Sequence, residues 1–169
     1  MMKYLTFTLF LFTCCLTKSF AQGFFKNAKP LIVWNSGDNK TKTKKLKNGG
    51  LLVVKFDGFF VNVNIVFGST GYTVKNLEET DEWEKMQITE YDFDKDDKSE
   101  IIIAYGDKTQ LIFKVLIYKI SKNGATEIGN IDDGQAYCYF EKNKIVLPFG
   151  SGGLFNEYTL TKGKFIQTN

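Results

Sequence analysis

Val53-Val54-Lys55-Phe56-Asp57-Gly58-Phe59-Phe60-Val61-Asn62-Val63-Asn64-Ile65 is the stretch whose reading decides the fold class. An Asp-Gly pair between two runs of β-branched and aromatic residues is a strong signal for a two-residue hairpin turn, in which both turn positions need φ > 0. Beyond the pair, Val61 to Ile65 alternates apolar and polar side chains, a period of two that leaves one face wet. Residues 51–67 as a whole form the most apolar run beyond the first 21 residues. Lys55, Asp57, Asn62 and Asn64 nevertheless exclude a transmembrane helix there.

Working outward, the same grammar recurs. Residues 30–34 are a short apolar run closed by the turn-rich Asn35-Ser36-Gly37-Asp38-Asn39. Residues 40–47 carry five lysines interleaved with threonine. That pattern reads as an exposed hairpin or edge strand, where lysine discourages edge-to-edge pairing. An acidic partner or a membrane surface is its functional alternative. Downstream, strands are expected over residues 86–91, 100–105, 111–120, 126–128, 136–141, 144–147, 157–160 and 164–167. Asn123-Gly124 marks a second hairpin and Lys162-Gly163 a turn. The acidic residues 76–84 are the one stretch that reads as a short helix. With 15 Gly, only 2 Pro and 15% aromatic residues, the pattern predicts an all-β, single antiparallel domain of roughly ten short strands. Propeller-like and sandwich- or barrel-like arrangements both fit.

The chain end reads as a secretory signal peptide over residues 1–21. Lys3 is the positive n-region, residues 4–16 the apolar h-region, and Ser19-Phe20-Ala21 the small-residue cleavage site before Gln22. The apolar run is too short for an anchor. Lipidation at Cys14 or Cys15 is disfavoured because Leu11-Phe12-Thr13 lacks the small residue expected before such a cysteine. The expectation is a secreted or periplasmic protein with one β domain over residues 22–169, a size suited to one core. That portion keeps 20 of the 22 lysines against 19 acidic side chains, so its charge favours no polyanion.

Absent residue types exclude whole classes of chemistry. The chain has no arginine, hence no planar fork for bidentate phosphate or guanine recognition, which argues against nucleic acid as a partner. It has no histidine, hence no Ser-His-Asp or Cys-His unit and no imidazole zinc site. Cys138 alone remains after cleavage, so no internal disulfide forms. Its place in Ala136-Tyr137-Cys138-Tyr139-Phe140 reads as a small buried residue.

One segment is chemically specific: Asp92-Phe93-Asp94-Lys95-Asp96-Asp97-Lys98-Ser99-Glu100, running into Ile101-Ile102-Ile103. Asp92, Asp94, Asp96 and Glu100 fall at loop positions 1, 3, 5 and 9, which in a curled loop converge on one point. The Lys98 backbone carbonyl at position 7 adds a fifth oxygen. Hard oxygen ligands in a flexible cage are what Ca²⁺ requires.

Over residues 88–104 this segment resembles the calcium-binding loops of FG-GAP and VCBS repeats, which read strand, Asp-x-Asp/Asn-x-Asp-Gly-x-x-Asp/Glu, apolar strand. The resemblance implies a calcium-pinned strand-loop-strand, with Asp97 standing where the family has glycine. An EF-hand is disfavoured, because Ile103 occupies the position of its bidentate glutamate and no helices flank the loop. More weakly, the chain resembles small periplasmic calcium-binding lysozyme inhibitors. That resemblance implies a protruding loop, for which Ser151-Gly152 and Gly68-Ser69-Thr70-Gly71-Tyr72 have the right texture. Pro148-Phe149-Gly150-Ser151-Gly152-Gly153 lacks the Gly-Lys-Ser/Thr end of a phosphate loop. The expected role is a non-catalytic binding module for a protein or glycan. A lysozyme inhibitor and a carboxylate-dependent hydrolase are the alternatives.

Overall fold

Where a turn dipeptide separates two apolar runs, the backbone reverses and the runs pair. The computed structural model describes residues 23–79, 82–109, 111–150 and 152–169. The proposed signal peptide and Ser151 lie outside them. Strand β1 (Ile32–Asn35) leads into a first meander of β2 (Lys42–Lys45), β3 (Leu51–Phe56), β4 (Phe60–Phe67) and β5 (Thr70–Glu78). The second meander is β6 (Lys85–Tyr91), β7 (Glu100–Gly106), β8 (Ile112–Ser121) and β9 (Gly124–Ile131), with β1 added at its β6 edge. The third is β10 (Tyr139–Glu141), β11 (Lys144–Phe149), β12 (Leu154–Thr161) and β13 (Lys164–Gln167). All pairings between these strands are antiparallel, no sheet closes into a barrel, and no helix occurs among the described residues.

The three sheets stack because the middle one has two dry faces. Ile101-Ile102-Ile103-Ala104 on β7 is an unbroken apolar run, the pattern of a strand covered on both sides. Alternate residues therefore serve different cores. Ile101 and Ile103 pack with Trp34, Leu52, Val54, Val63 and Ile65, against the first meander. Ile102 and Ala104 pack with Phe140, Ile145, Leu147 and Phe165, against the third. Each of the three isoleucines is at most 1% exposed, and such burial contributes roughly 1.5–3 kcal/mol per side chain.

On β6 the third-meander face is polar yet buried, and the N-terminal segment covers it. Gln87 accepts the Phe24 N–H at 2.9 Å through Oε1, and Thr89 donates to the Lys29 carbonyl at 3.0 Å. Cys138 locks the same segment from the other side: it donates its N–H to Phe24 O at 2.8 Å and accepts from Lys26 N at 3.0 Å. Its thiol is fully buried, which pushes the pKa up, as suits a packing residue.

Several expectations need correction. Among the described residues there are thirteen strands where roughly ten were expected. The described residues of 76–84 are not helical: Asn76, Leu77 and Glu78 pair with Asn62, Val61 and Phe60, and residues 80 and 81 lie outside the described residues. Leu77 is buried between two exposed neighbours, so a period of two prevails over acidic composition. Thr70, Gly71 and Tyr72 belong to β5, leaving only Gly68-Ser69 as a tight turn. At Asp57-Gly58 the hairpin forms, but only Gly58 takes positive φ, at 104°. Asp57 works instead through its side chain, accepting from Phe59 N at 3.0 Å and Phe60 N at 2.8 Å. The second hairpin turns at Lys122-Asn123, one residue earlier than expected, with Ser121 opposite Gly124. Lys162-Gly163 turns with both residues at positive φ, and lysine-rich β2 is the edge strand of its sheet.

Gly106 marks the tightest backbone approach. It sits at a register shift in the β7–β8 pairing, and a Cβ there would lie 1.8 Å from the Leu111 carbonyl oxygen. Gly106→Ala should therefore lower stability by about 3 kcal/mol, read as a lower urea midpoint at unchanged slope. Gly129→Ala meets the movable Ile117 Cδ1 at 2.2 Å and should cost less. Equal midpoints for Gly106→Ala and wild type would show that the β7–β8 turn yields freely.

Candidate metal centre

Strand β6 ends at Tyr91 and β7 begins at Glu100, so residues 92–99 must reverse the chain in a small space. Two left-handed residues do this, Lys95 at φ 63° and Asp97 at φ 65°. Asp97 thus adopts a left-handed conformation that glycine takes most readily and that Asp tolerates better than most residues. Loop amides point inward at the carboxylates. Asp96 N donates to Asp92 Oδ1 at 3.2 Å and Asp94 Oδ1 at 3.3 Å. Asp97 N donates to Asp92 Oδ2 at 3.1 Å, and Lys98 N to Asp96 Oδ1 at 2.9 Å.

The curl brings three of the expected ligands together. One carboxylate oxygen from each of Asp92, Asp94 and Glu100 lies within 4.8 Å of the others. Metal–oxygen distances of 2.3–2.6 Å allow two ligands of one calcium ion to be up to about 5 Å apart. The trio therefore fits a single hard cation. Asp96 stands at the rim: its carboxylate takes the Lys98 amide and lies 3.5 Å from Lys119 Nζ. Burial opposes its ionisation, but the Lys98 amide and the Lys119 ammonium together hold it below the usual range. Lys98 closes the loop with its Nζ 3.9 Å from Asp96 Oδ2.

Glu100 differs from the other two. It is 1% exposed, Phe93 N donates to its Oε2 at 3.1 Å, and its Oε1 has no hydrogen-bond partner. Burial raises its pKa, the Asp94 charge adds to the rise, and the Phe93 amide pulls the other way. A buried carboxylate oxygen without a partner is costly, and a divalent cation held with Asp92 and Asp94 is a group that would satisfy it.

Two residues of the site carry no local sequence signal. Phe93, at loop position 2, is fully buried and anchors the loop to the third meander. Its ring lies 4.9 Å from Phe165, 5.5 Å from Phe140 and 4.8 Å from Tyr91, and its carbonyl accepts Asn143 N at 2.9 Å. Lys119 arrives from β8 with Nζ 3.3 Å from Asp94 Oδ2. Partial burial works against its charge, but Asp94 and Asp96 raise its pKa. In sequence it is a single lysine in Leu116-Ile117-Tyr118-Lys119-Ile120, and only the pairing of Ile101 with Tyr118 carries it to the loop.

The raised pKa of Glu100 sets a sign. Between its ordinary value of 4.5 and its higher folded value, the folded state holds more protons than the unfolded one. Its contribution to stability therefore falls as pH rises through that window and is recovered on acidification. With a chelator present, urea unfolding of wild type relative to Glu100→Gln should show the difference moving against wild type as pH climbs from 4.5. The opposite slope would mean that the Phe93 amide, rather than burial, dominates the carboxylate.

No protein-family model, curated protein or solved structure matches this chain, so its functional reading rests on the chemistry of the loop and its surroundings.

Proposed function

We propose that the chain is an exported calcium-binding β protein that acts as a non-catalytic binding module for a protein or glycan. The observation that carries the calcium reading is the buried, half-unpartnered Glu100 carboxylate beside Asp92 and Asp94. Ca²⁺ would be held by Asp92, Asp94 and Glu100, with Asp96 and the Lys98 carbonyl at the rim. The ion's role is structural: it joins the start of β7, a strand that contributes to both cores, to the end of β6. Export is supported by the charged, apolar and small-residue order of residues 1–21.

Support for binding comes from apolar side chains left on the outside. Phe59 is 76% exposed at the β3–β4 turn, and Leu154 and Phe155 are 58% and 43% exposed where β12 begins. Leu154 and Phe155 border a cavity of about 660 Å³ together with Tyr137, Tyr139, Lys26 and Asn27. Aromatic rims with a few polar groups are a common texture of recognition sites. A carboxylate hydrolase is the weaker reading. It needs a protonated acid facing substrate, whereas Glu100, whose pKa is raised, is 1% exposed.

Calorimetric titration of the chelator-treated chain with Ca²⁺ tests the metal. Saturable heat is expected, with a raised melting temperature and a stabilisation of about 2.7 kcal/mol when calcium is a hundredfold above Kd. Asp94→Asn, which keeps the loop's shape and removes one charge, should weaken binding. Absence of both heat and melting shift at millimolar calcium would overturn the proposal.

A further inference from the structure

The cavity that adjoins the metal loop has a chemistry of its own. It has a volume of about 720 Å³, within the range of small-ligand sites, and lies where all three sheets meet. Phe67 comes from the end of β4, Ile120 and Ile128 from β8 and β9, and the far wall is the β12–β13 turn. These apolar groups belong to the margins of both cores, Ile120 at 7% exposure in one and Ile128 at 8% in the other. Three lysines stand around them: Lys98 from the metal loop, Lys119 from β8 and Lys122 from the β8–β9 turn. An apolar floor bordered by three lysine side chains is complementary to a molecule with an apolar body and one anionic head.

The carboxylates that face these lysines are those of the metal loop. Lys119 Nζ lies 3.3 Å from Asp94 Oδ2 and 3.5 Å from Asp96 Oδ2, and Lys98 Nζ 3.9 Å from Asp96 Oδ2. A cation held by Asp94 would compete with Lys119 for that carboxylate and would offset the negative field behind the cavity. Both effects would turn lysine charge toward the cavity.

We propose that this three-sheet cavity binds a small amphipathic anion, and that calcium in the adjoining loop tightens that binding. The coupling half rests on the metal site proposed above; the cavity half does not. By linkage the anion must tighten calcium by the same factor.

Anilinonaphthalene sulfonate, an anionic head on an apolar ring system, is a suitable probe, and phenylnaphthylamine is its uncharged counterpart. Fluorescence titration of the folded chain in calcium should give one saturable sulfonate site, with the uncharged probe binding more weakly. Lys122→Glu, on an exposed turn where folding is not at stake, should weaken the sulfonate roughly tenfold. A chelator should weaken it about fivefold. Equal affinity for both probes, or no effect of Lys122→Glu, overturns the cavity assignment. Calorimetry with calcium alone separates the remaining failures. No calcium heat overturns the metal reading and with it the coupling. Calcium heat with unchanged sulfonate affinity overturns the coupling while the metal reading stands.

Discussion

Strand β7 has no wet face, and the architecture follows from that constraint. A strand apolar on both sides needs cover on both sides, so the second meander lies between the first and the third. Its leading residue, Glu100, enters the same dry environment at 1% exposure. A carboxylate there is tolerable only if something compensates it. The Phe93 amide supplies part of that compensation through Oε2, and Oε1 is left without a hydrogen-bond partner.

The metal loop consequently does two mechanical jobs. Its carboxylates converge toward a point at the head of β7, while Phe93 packs in the other direction among Tyr91, Phe140 and Phe165. Removing the charge problem at Glu100 and seating Phe93 are thus coupled through the intervening backbone. In a chain whose described cysteine, Cys138, is free and buried, an ion held at this loop as proposed would do the cross-linking work that a disulfide does elsewhere. Lys119 extends the network to β8 and brings it to the edge of the three-sheet cavity.

Legibility in the sequence varied with how local each cause was. The hairpins around Asp57-Gly58 and Lys162-Gly163 were readable because turn chemistry acts over a few residues, and the one expected at Asn123-Gly124 turns one residue earlier, at Lys122-Asn123. Even there the detail shifted, since Asp57 turns the chain with its carboxylate rather than with positive φ. The helix expected over residues 76–84 is replaced by strand at Asn76, Leu77 and Glu78, because pairing with β4 and burial of Leu77 outweighed a weak local preference. Asp92, Asp94 and Glu100 were legible as ligand candidates from spacing alone. Asp96's position at the rim depends on Lys119, a residue 23 positions away.

By itself, the sequence determined the β class, the approximate places of the turns and the clustering of acidic residues in one loop, since each is set by neighbours along the chain. It also excluded imidazole and guanidinium chemistry outright, by lacking His and Arg. Tertiary structure alone decided that the sheets form an open stack of three, because Ile101-Ile102-Ile103 announces two dry faces without saying what covers them. It alone placed Phe93 in the third meander's core, left one oxygen of Glu100 without a partner, and brought Lys119 to Asp94. Those relations pass through strand register and packing between sheets, which no stretch of sequence encodes on its own.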